Sequence, residues 1–259
     1  MVKKIIKFLF NSSYLEKKLA LKEVFFTDGN ENITRLIKLV RNIHISDDSS
    51  LIIDVGAYNG ATSILFSEAF PKKKIIGFEA NPKAYENAIK NCINHKNITL
   101  HNFAISNKSE TLNFYITSND VSSSINKIDE KQINSEDYRN ELNLKTQINI
   151  AAHKLDEFLE DKNILILKID TQGHELKVLD GAKETLKKTS FVLIEMSNHK
   201  LYIDGCKYHE VDEMMRKNNF TLIDIIVTYR KKGIILTEYD AIYANNSIQS
   251  LEKLVLSSS

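Results

Sequence analysis

The sequence predicts an α/β protein, a mostly parallel sheet with helices on both faces and a helical extension before it. Three observations predict this. Short runs of almost purely apolar residues, at 51–56, 74–79, 164–170 and 191–195, each close on a polar residue or a glycine. Stretches of helical periodicity separate them, and Gly56, Gly60, Pro71 and Pro82 stand at the joints. Strand and helix alternate through the first two-thirds of the chain, the pattern of βαβ units.

The elements follow in order. Residues 1–50 read as helix, with Ile33, Leu36, Ile37 and Val40 at helical spacing. Residues 1–10 resemble a leader only superficially, because Lys7 interrupts the apolar run and Asn11 follows at once. An amphipathic helix packed on the protein is the expectation, and a membrane-surface anchor is the alternative. Strand 51–56 leads into a helix at about 59–70 that Pro71 ends. A second strand, 74–79, precedes a helix opened by Pro82, since proline suits the first helical turn. A third strand spans 98–105, with an extra one at 111–116. Residues 118–145 are polar and read as a loop or lid. A short helix at 155–159, the strand 164–170, a helix from Gly173 to Lys188 and the strand 191–195 follow. The tail offers a helix near 209–217 and strands at 220–227 and 239–244. Residues 51–259 are expected to be one domain.

Composition excludes some functions. The 259 residues are 42% apolar and 27% charged, ordinary for a globular protein. Lys plus Arg number 35 against 34 Asp plus Glu, a net charge of +1, which argues against a broad nucleic-acid footprint. Cys92 and Cys206 form no CxxC pair, so a zinc site or disulfide framework is not expected and a reducing cytoplasm is. The sequence does not indicate an oligomeric state.

Chemistry is expected at the carboxyl ends of the strands, where open α/β sheets bind ligands. Asp54-Val-Gly56-Ala57-Tyr58-Asn59-Gly60 forms the first turn. Its spacing is not GxGxxG, and an acid two places before Gly56 would repel a pyrophosphate. A ligand bearing a sulfonium and an ammonium, such as S-adenosylmethionine, tolerates that acid. A helix cap is the bland reading of Asp54. Glu79 ends the second strand about twenty residues on, where an acid accepts ribose hydroxyls. Lys168 and Asp170 share a strand face, and Lys168 is expected to pair with Asp54.

The chain resembles the FkbM family of methyltransferases in Asp54 to Gly60, Phe78-Glu79-Ala80-Asn81-Pro82, the 154–158 segment (KLDEF), the 168–175 block (KIDTQGHE) with the 178–181 segment (VLDG), and Ile194-Glu195. A weaker echo lies at 239–243. The resemblance implies a Rossmann-like class I methyltransferase fold with a seven-stranded sheet, S-adenosylmethionine as cofactor, and O-methylation of a sugar, surface glycan or secondary metabolite. Its cofactor residues are then Asp54, Gly56, Ala57, Tyr58, Asn59, Gly60, Glu79, Ala80, Asn81 and Asp170. Gln172 stands where many relatives carry Glu, so it is given no acid–base role.

For the acceptor proton, Asp170 is the first candidate base, then Glu195, with His199 in reserve. Asp170 reads equally as a helix cap, and Glu175 as a dipole partner in the first helical turn. Asp170, His174, Glu195 and His199 could also assemble a divalent metal site, but the spacing is not diagnostic and metal-free chemistry is expected. The glycine spacing counts against a dehydrogenase, and Thr171-Gln172-Gly173 after Asp170 counts against a nucleobase methyltransferase. Methylation of a carboxylate or amine, or a non-catalytic scaffold, are the alternatives.

Overall fold

The computed structural model describes residues 31–43, 50–118, 122–129, 143–159, 162–198, 202–231 and 233–248. Helix α1 (Glu31–Asn42) precedes β1 (Leu51–Val55), α2 (Ala61–Ala69), β2 (Ile75–Phe78), α3 (Pro82–Cys92) and β3 (Ile98–His101). Next come β4 (Ala104–Ile105), β5 (Glu110–Thr117) and β6 (Leu144–His153), then a 3-10 turn at Leu155–Glu157. Strand β7 (Ile164–Ile169), α4 (Glu175–Asp180), α5 (Lys183–Lys187), β8 (Thr189–Ser197), α6 (Tyr208–Lys217), β9 (Phe220–Lys231) and β10 (Ile235–Asn245) complete it.

The main sheet has seven strands in the order β3-β2-β1-β7-β8-β10-β9, and only β10 runs antiparallel to its neighbours. Strand order reverses between β1 and β7, which makes their carboxyl ends the expected ligand crevice. One face of the sheet, with Val55, Leu167, Ile169 and Ile194, packs against Val178 of α4, Leu186 of α5 and Met215 of α6. The other face, with Ile52, Ile166, Phe191 and Ile242, meets Leu36 and Val40 of α1 and Phe66 of α2. The buried stripe Ile33, Leu36 and Val40 is what binds α1 to the sheet.

Three expectations are corrected. The single strand expected at 98–105 is two, because Asn102 turns the chain out of the main sheet by donating to the Glu79 carbonyl at 2.8 Å. Strand β4 then pairs with β6 in a separate three-stranded sheet, β4-β6-β5. Strand β6 occupies residues first read as the end of a loop and an unassigned stretch. Its inward residues Ile150 and Ala152 are buried, and its first four residues are exposed. The helix expected from Gly173 to Lys188 is two short ones. They break at Gly181, where an added Cβ would lie 2.0 Å from the Ser106 carbonyl oxygen. Within the expected lid, residues 122–129 are stitched to the strand-end loop: Ser124 Oγ donates to Gln172 O at 2.8 Å, and Asn126 Nδ2 donates to Gly173 O at 2.8 Å. The rest of that lid at 119–121 and 130–142, residues 1–30 and His199 lie outside the described residues.

Candidate active site

A cleft of about 620 Å³, counted with its open mouth, lies at the carboxyl ends of β1, β2 and β7. Its floor is Gly56, Tyr58, Glu79 and Asp170, with Thr171 and Gln172 beside them. An apolar wall comes from Phe78, Phe103 and Ile105, and Phe114, Ser123 and Ile125 close it from the small sheet and the segment that follows.

The glycine turn is held from below. Gly56 has φ 79°, and a Cβ there would sit 1.9 Å from the Asp170 carbonyl oxygen. Glycine is therefore required by the close packing of the β7 end as well as by the turn. Tyr58 also adopts a positive φ of 48°, and its N–H donates to Glu79 Oε2 at 2.6 Å. Asn81 N–H donates to Glu79 Oε1 at 2.7 Å, so Glu79 ties the ends of two strands together. Burial raises its proton affinity, and those two backbone donors oppose the rise. Each carboxylate oxygen keeps a further lone pair for an incoming hydroxyl.

Beneath the turn lies a buried ion pair. Lys168 Nζ is 3.2 Å from Asp54 Oδ1, 3.6 Å from Asp170 Oδ2 and 2.7 Å from the Gly56 carbonyl oxygen, to which it donates. Ser63 Oγ donates to Asp54 Oδ2 at 2.7 Å. Burial disfavours the Lys168 charge, yet Asp54 and then Asp170 hold its pKa above the ordinary lysine value. The helix-cap reading of Asp54 is corrected, since Gly60 is the N-cap of α2 and no side chain caps it.

Five residues expected around a cofactor line the cleft: Gly56, Tyr58, Glu79, Ala80 and Asp170. The other five stand behind it. Asp54 and Ala57 are buried, Asn59 accepts from Ala61 N–H, Gly60 packs on Cys92, and Asn81 caps α3 by accepting from Lys83 N–H. The aromatic wall was not anticipated. Phe103, tilted on Phe78 at 5.3 Å and on Phe158 at 4.6 Å, comes from the stretch read as a continuous strand.

The acids divide by register. Lys168 stands opposite Leu193, and Glu195 opposite Asp240, so Asp170, Glu195 and Asp240 project from one face across three strands. That face is the one α1 covers, and Asn32 donates to Asp240 Oδ2. Glu195 lies within β8 rather than at its end. Gln172 Nε2 donates to Asp170 Oδ1 at 3.0 Å and to Glu195 Oε2 at 2.9 Å. Asp170 does not cap a helix: His174 is the N-cap of α4, without a side-chain bond. Glu175 stands in the first turn of α4, where it complements the dipole, and also accepts from Thr171 N, Thr171 Oγ1 and Gly173 N through Oε1 at 3.0–3.1 Å, which shapes the loop. His174 is turned away from the acids and lies 3.0 Å from Ser106 Oγ, its pKa lowered to about 4 by burial and then by Lys177. Among the described residues no three of His, Cys, Asp and Glu converge as metal ligands would.

A model of the FkbM methyltransferase domain matches residues 54–222. The chain belongs to the FkbM methyltransferase family. A curated relative, the 2-O-methyltransferase NoeI of Sinorhizobium fredii (strain NBRC 101917 / NGR234), is 26% identical over 193 residues, covering 68% of this chain and 76% of that protein. Among solved structures, an FkbM methyltransferase from Methylobacillus flagellatus KT aligns with a TM-score of 0.46 at 13% identity, over 75% of this chain. The alignment spans 44% of that longer chain. An rRNA methylase from Streptococcus thermophilus aligns with a TM-score of 0.47 at 10% identity, over 83% of this chain and 97% of that one. The seven-stranded sheet with helices on both faces is the class I, Rossmann-like arrangement of such enzymes. In the 168–175 block, Lys168 and Gln172 both contact Asp170, and Glu175 holds the Thr171 and Gly173 backbone beside it.

Proposed function

We propose that this FkbM-family chain binds S-adenosylmethionine in the cleft and methylates a hydroxyl of a sugar, surface glycan or secondary metabolite. The observation that carries this reading is the placement of Asp170. Its side chain is 41% exposed in a cleft whose other floor residues are the glycine turn and the Glu79 carboxylate. The residues present suit the donor. Glu79 has lone pairs for a ribose, the wall of Phe78, Phe103 and Ile105 suits a flat base, and the acids suit a cation.

When bound, S-adenosylmethionine supplies an electrophilic methyl group on a good leaving group. The protein's part is then to hold the acceptor oxygen in line and take its proton. A positioned base is worth about 10²–10⁴-fold. Asp170 reaches the cleft, and Lys168 and the Gln172 amide hold its carboxylate in place. Glu195 is set back behind Gln172. The 2-O-methyltransferase activity in the name of the curated relative supports oxygen as the acceptor atom. No described helix is long and apolar enough to cross a membrane. Two buried, unpaired cysteines fit action in a reducing cytoplasm.

The test is calorimetry with S-adenosylmethionine and S-adenosylhomocysteine, then labelled methyl transfer to polysaccharide and metabolite extracts. Micromolar binding is expected, and Glu79→Ala should weaken it by about 1.5–3 kcal/mol, the scale of hydrogen bonds to a charged group. Asp170→Asn should bind normally and lose about a hundredfold or more in transfer. Absence of binding by the wild type, or unchanged transfer by Asp170→Asn, overturns the reading.

A further inference from the structure

Gln172 occupies the point between the two acids nearest the cleft. Its Nε2 donates to Asp170 Oδ1 at 3.0 Å and to Glu195 Oε2 at 2.9 Å, and its Oε1 accepts from Tyr202 OH at 3.0 Å. A side-chain amide has two N–H donors and one carbonyl oxygen, so both donors of Gln172 are engaged, while the single proton of Tyr202 OH is shared between Gln172 Oε1 and the Ser122 carbonyl oxygen, each at 3.0 Å. The orientation is forced, because the flipped amide would set its oxygen against two carboxylates. The backbone is forced as well. Gln172 has φ 56° and Gly173 φ 94°, a left-handed pair. Such conformations persist where the surroundings over-determine them, and they gather at functional sites. Here Ser124 Oγ holds the Gln172 carbonyl and Asn126 Nδ2 the Gly173 carbonyl.

We propose that Gln172 is a positioning residue whose amide clasps Asp170 to Glu195 and aims the Asp170 carboxylate into the cleft. Its catalytic purpose rests on the methyl-transfer reading, whereas the clasp can be tested without any acceptor. The charges around the pair are unequal. Lys168 stands 3.6 Å from Asp170 Oδ2. Glu195 faces Asp170 from β7, Glu238 and Asp240 from β10, and Glu175 from α4. Burial, then those acids in turn, hold the Glu195 carboxyl well above the usual carboxylate range. The amide allows the two groups to stand on one nitrogen without a cation between them.

The experiment is a pH titration of the side-chain carboxyl carbons by ¹³C NMR on the full chain, free and with S-adenosylhomocysteine. Asp170→Asn and Glu195→Gln assign the resonances. Gln172→Met keeps the length and removes both donors, and donors to a carboxylate favour its charged form. The Glu195 midpoint should therefore rise by about one pH unit, a tenfold change in proton affinity. Gln172→Asn tolerates the left-handed backbone but falls one methylene short, so it should shift the midpoint likewise without lowering the melting temperature. That variant carries the test if Gln172→Met does not fold. A Glu195 midpoint unchanged in both variants overturns the clasp. Calorimetry with S-adenosylhomocysteine on the same samples reports the donor site separately. A clasped pair in a wild type that binds no S-adenosylhomocysteine would refute the methyl-transfer reading and leave the clasp standing.

Discussion

Lys168 offers the sharpest single test of how this site is built. Replacing it with Met keeps most of the volume and removes the cation from Asp54, whose side chain is wholly buried. At the observed 3.2 Å the pair's Coulomb attraction is about 5 kcal/mol for an effective dielectric of 20. Desolvation of both ions offsets much of that, so the intact pair adds little net stability, but half of it is costly to leave behind. Lys168→Met should therefore cost about 3–5 kcal/mol. Adding Asp54→Asn should recover most of the loss, because the orphaned charge is gone. A coupling on the order of 2–4 kcal/mol is expected from the cycle. Urea unfolding of the four proteins at pH 8 measures it, provided the m-values agree. Affinity for S-adenosylhomocysteine should fall in Lys168→Met, since Nζ also donates to the Gly56 carbonyl at 2.7 Å. Additive effects, or a Lys168→Met loss below about 1 kcal/mol, the scale of an exposed pair, would refute this account of the buried pair.

Two further predictions follow. Asp240 is 7% exposed, and burial, then Asp170, raises its pKa from 3.8 to about 7, so the folded state takes up its proton more readily than the unfolded chain. That contribution to stability is present below about pH 4 and is lost as pH rises toward 7, with a ceiling of about 4 kcal/mol; Asp240→Asn should thus stabilise the protein in urea at pH 8 but not at pH 4, and an equal effect at both would count against it. Asp156 Oδ1 accepts from Thr185 N–H at 2.8 Å and from Thr185 Oγ1 at 2.7 Å, capping α5 from a distant turn. Asp156→Ala should cost about 0.5–2 kcal/mol in urea unfolding without changing affinity for S-adenosylhomocysteine, and a change in that affinity would show that the 154–158 motif does more than build the fold.

How far the sequence was legible depends on which residues carried an apolar pattern. The runs ending at Val55, Phe78 and Ile169 were plain because buried parallel strands are apolar on both faces. Strand β6 was hidden because only Ile150 and Ala152 are buried, exposed Ala151 between them blurs the alternation, and the strand begins wholly exposed. The alternation at 148, 150 and 152 was the available signal. Asp170 and Glu195 were legible as strand acids, but the link between them was not. It depends on a left-handed backbone at Gln172, which the residue type disguises and only Gly173 beside it hints at. Half of the glycine motif proved to face inward, because a tight turn needs support beneath it as well as a surface above. Composition does not separate the two.

The acid row explains why so many neutral donors surround this site. Asp170, Glu195 and Asp240 lie on one face of adjacent strands, where mutual repulsion would normally demand cations. Here Lys168 serves both Asp54 and Asp170. The other acids are held by amides, Gln172 on Glu195 and Asn32 on Asp240. An amide satisfies a carboxylate's hydrogen bonding without cancelling its charge, whereas a second lysine would do both. The acids therefore stay together, and burial with the neighbouring acids raises the proton affinity of Glu195 and Asp240 rather than leaving three charges side by side. With one cation, Lys168, shared by Asp54 and Asp170, the Gln172 and Asn32 amides are what bind the remaining acids.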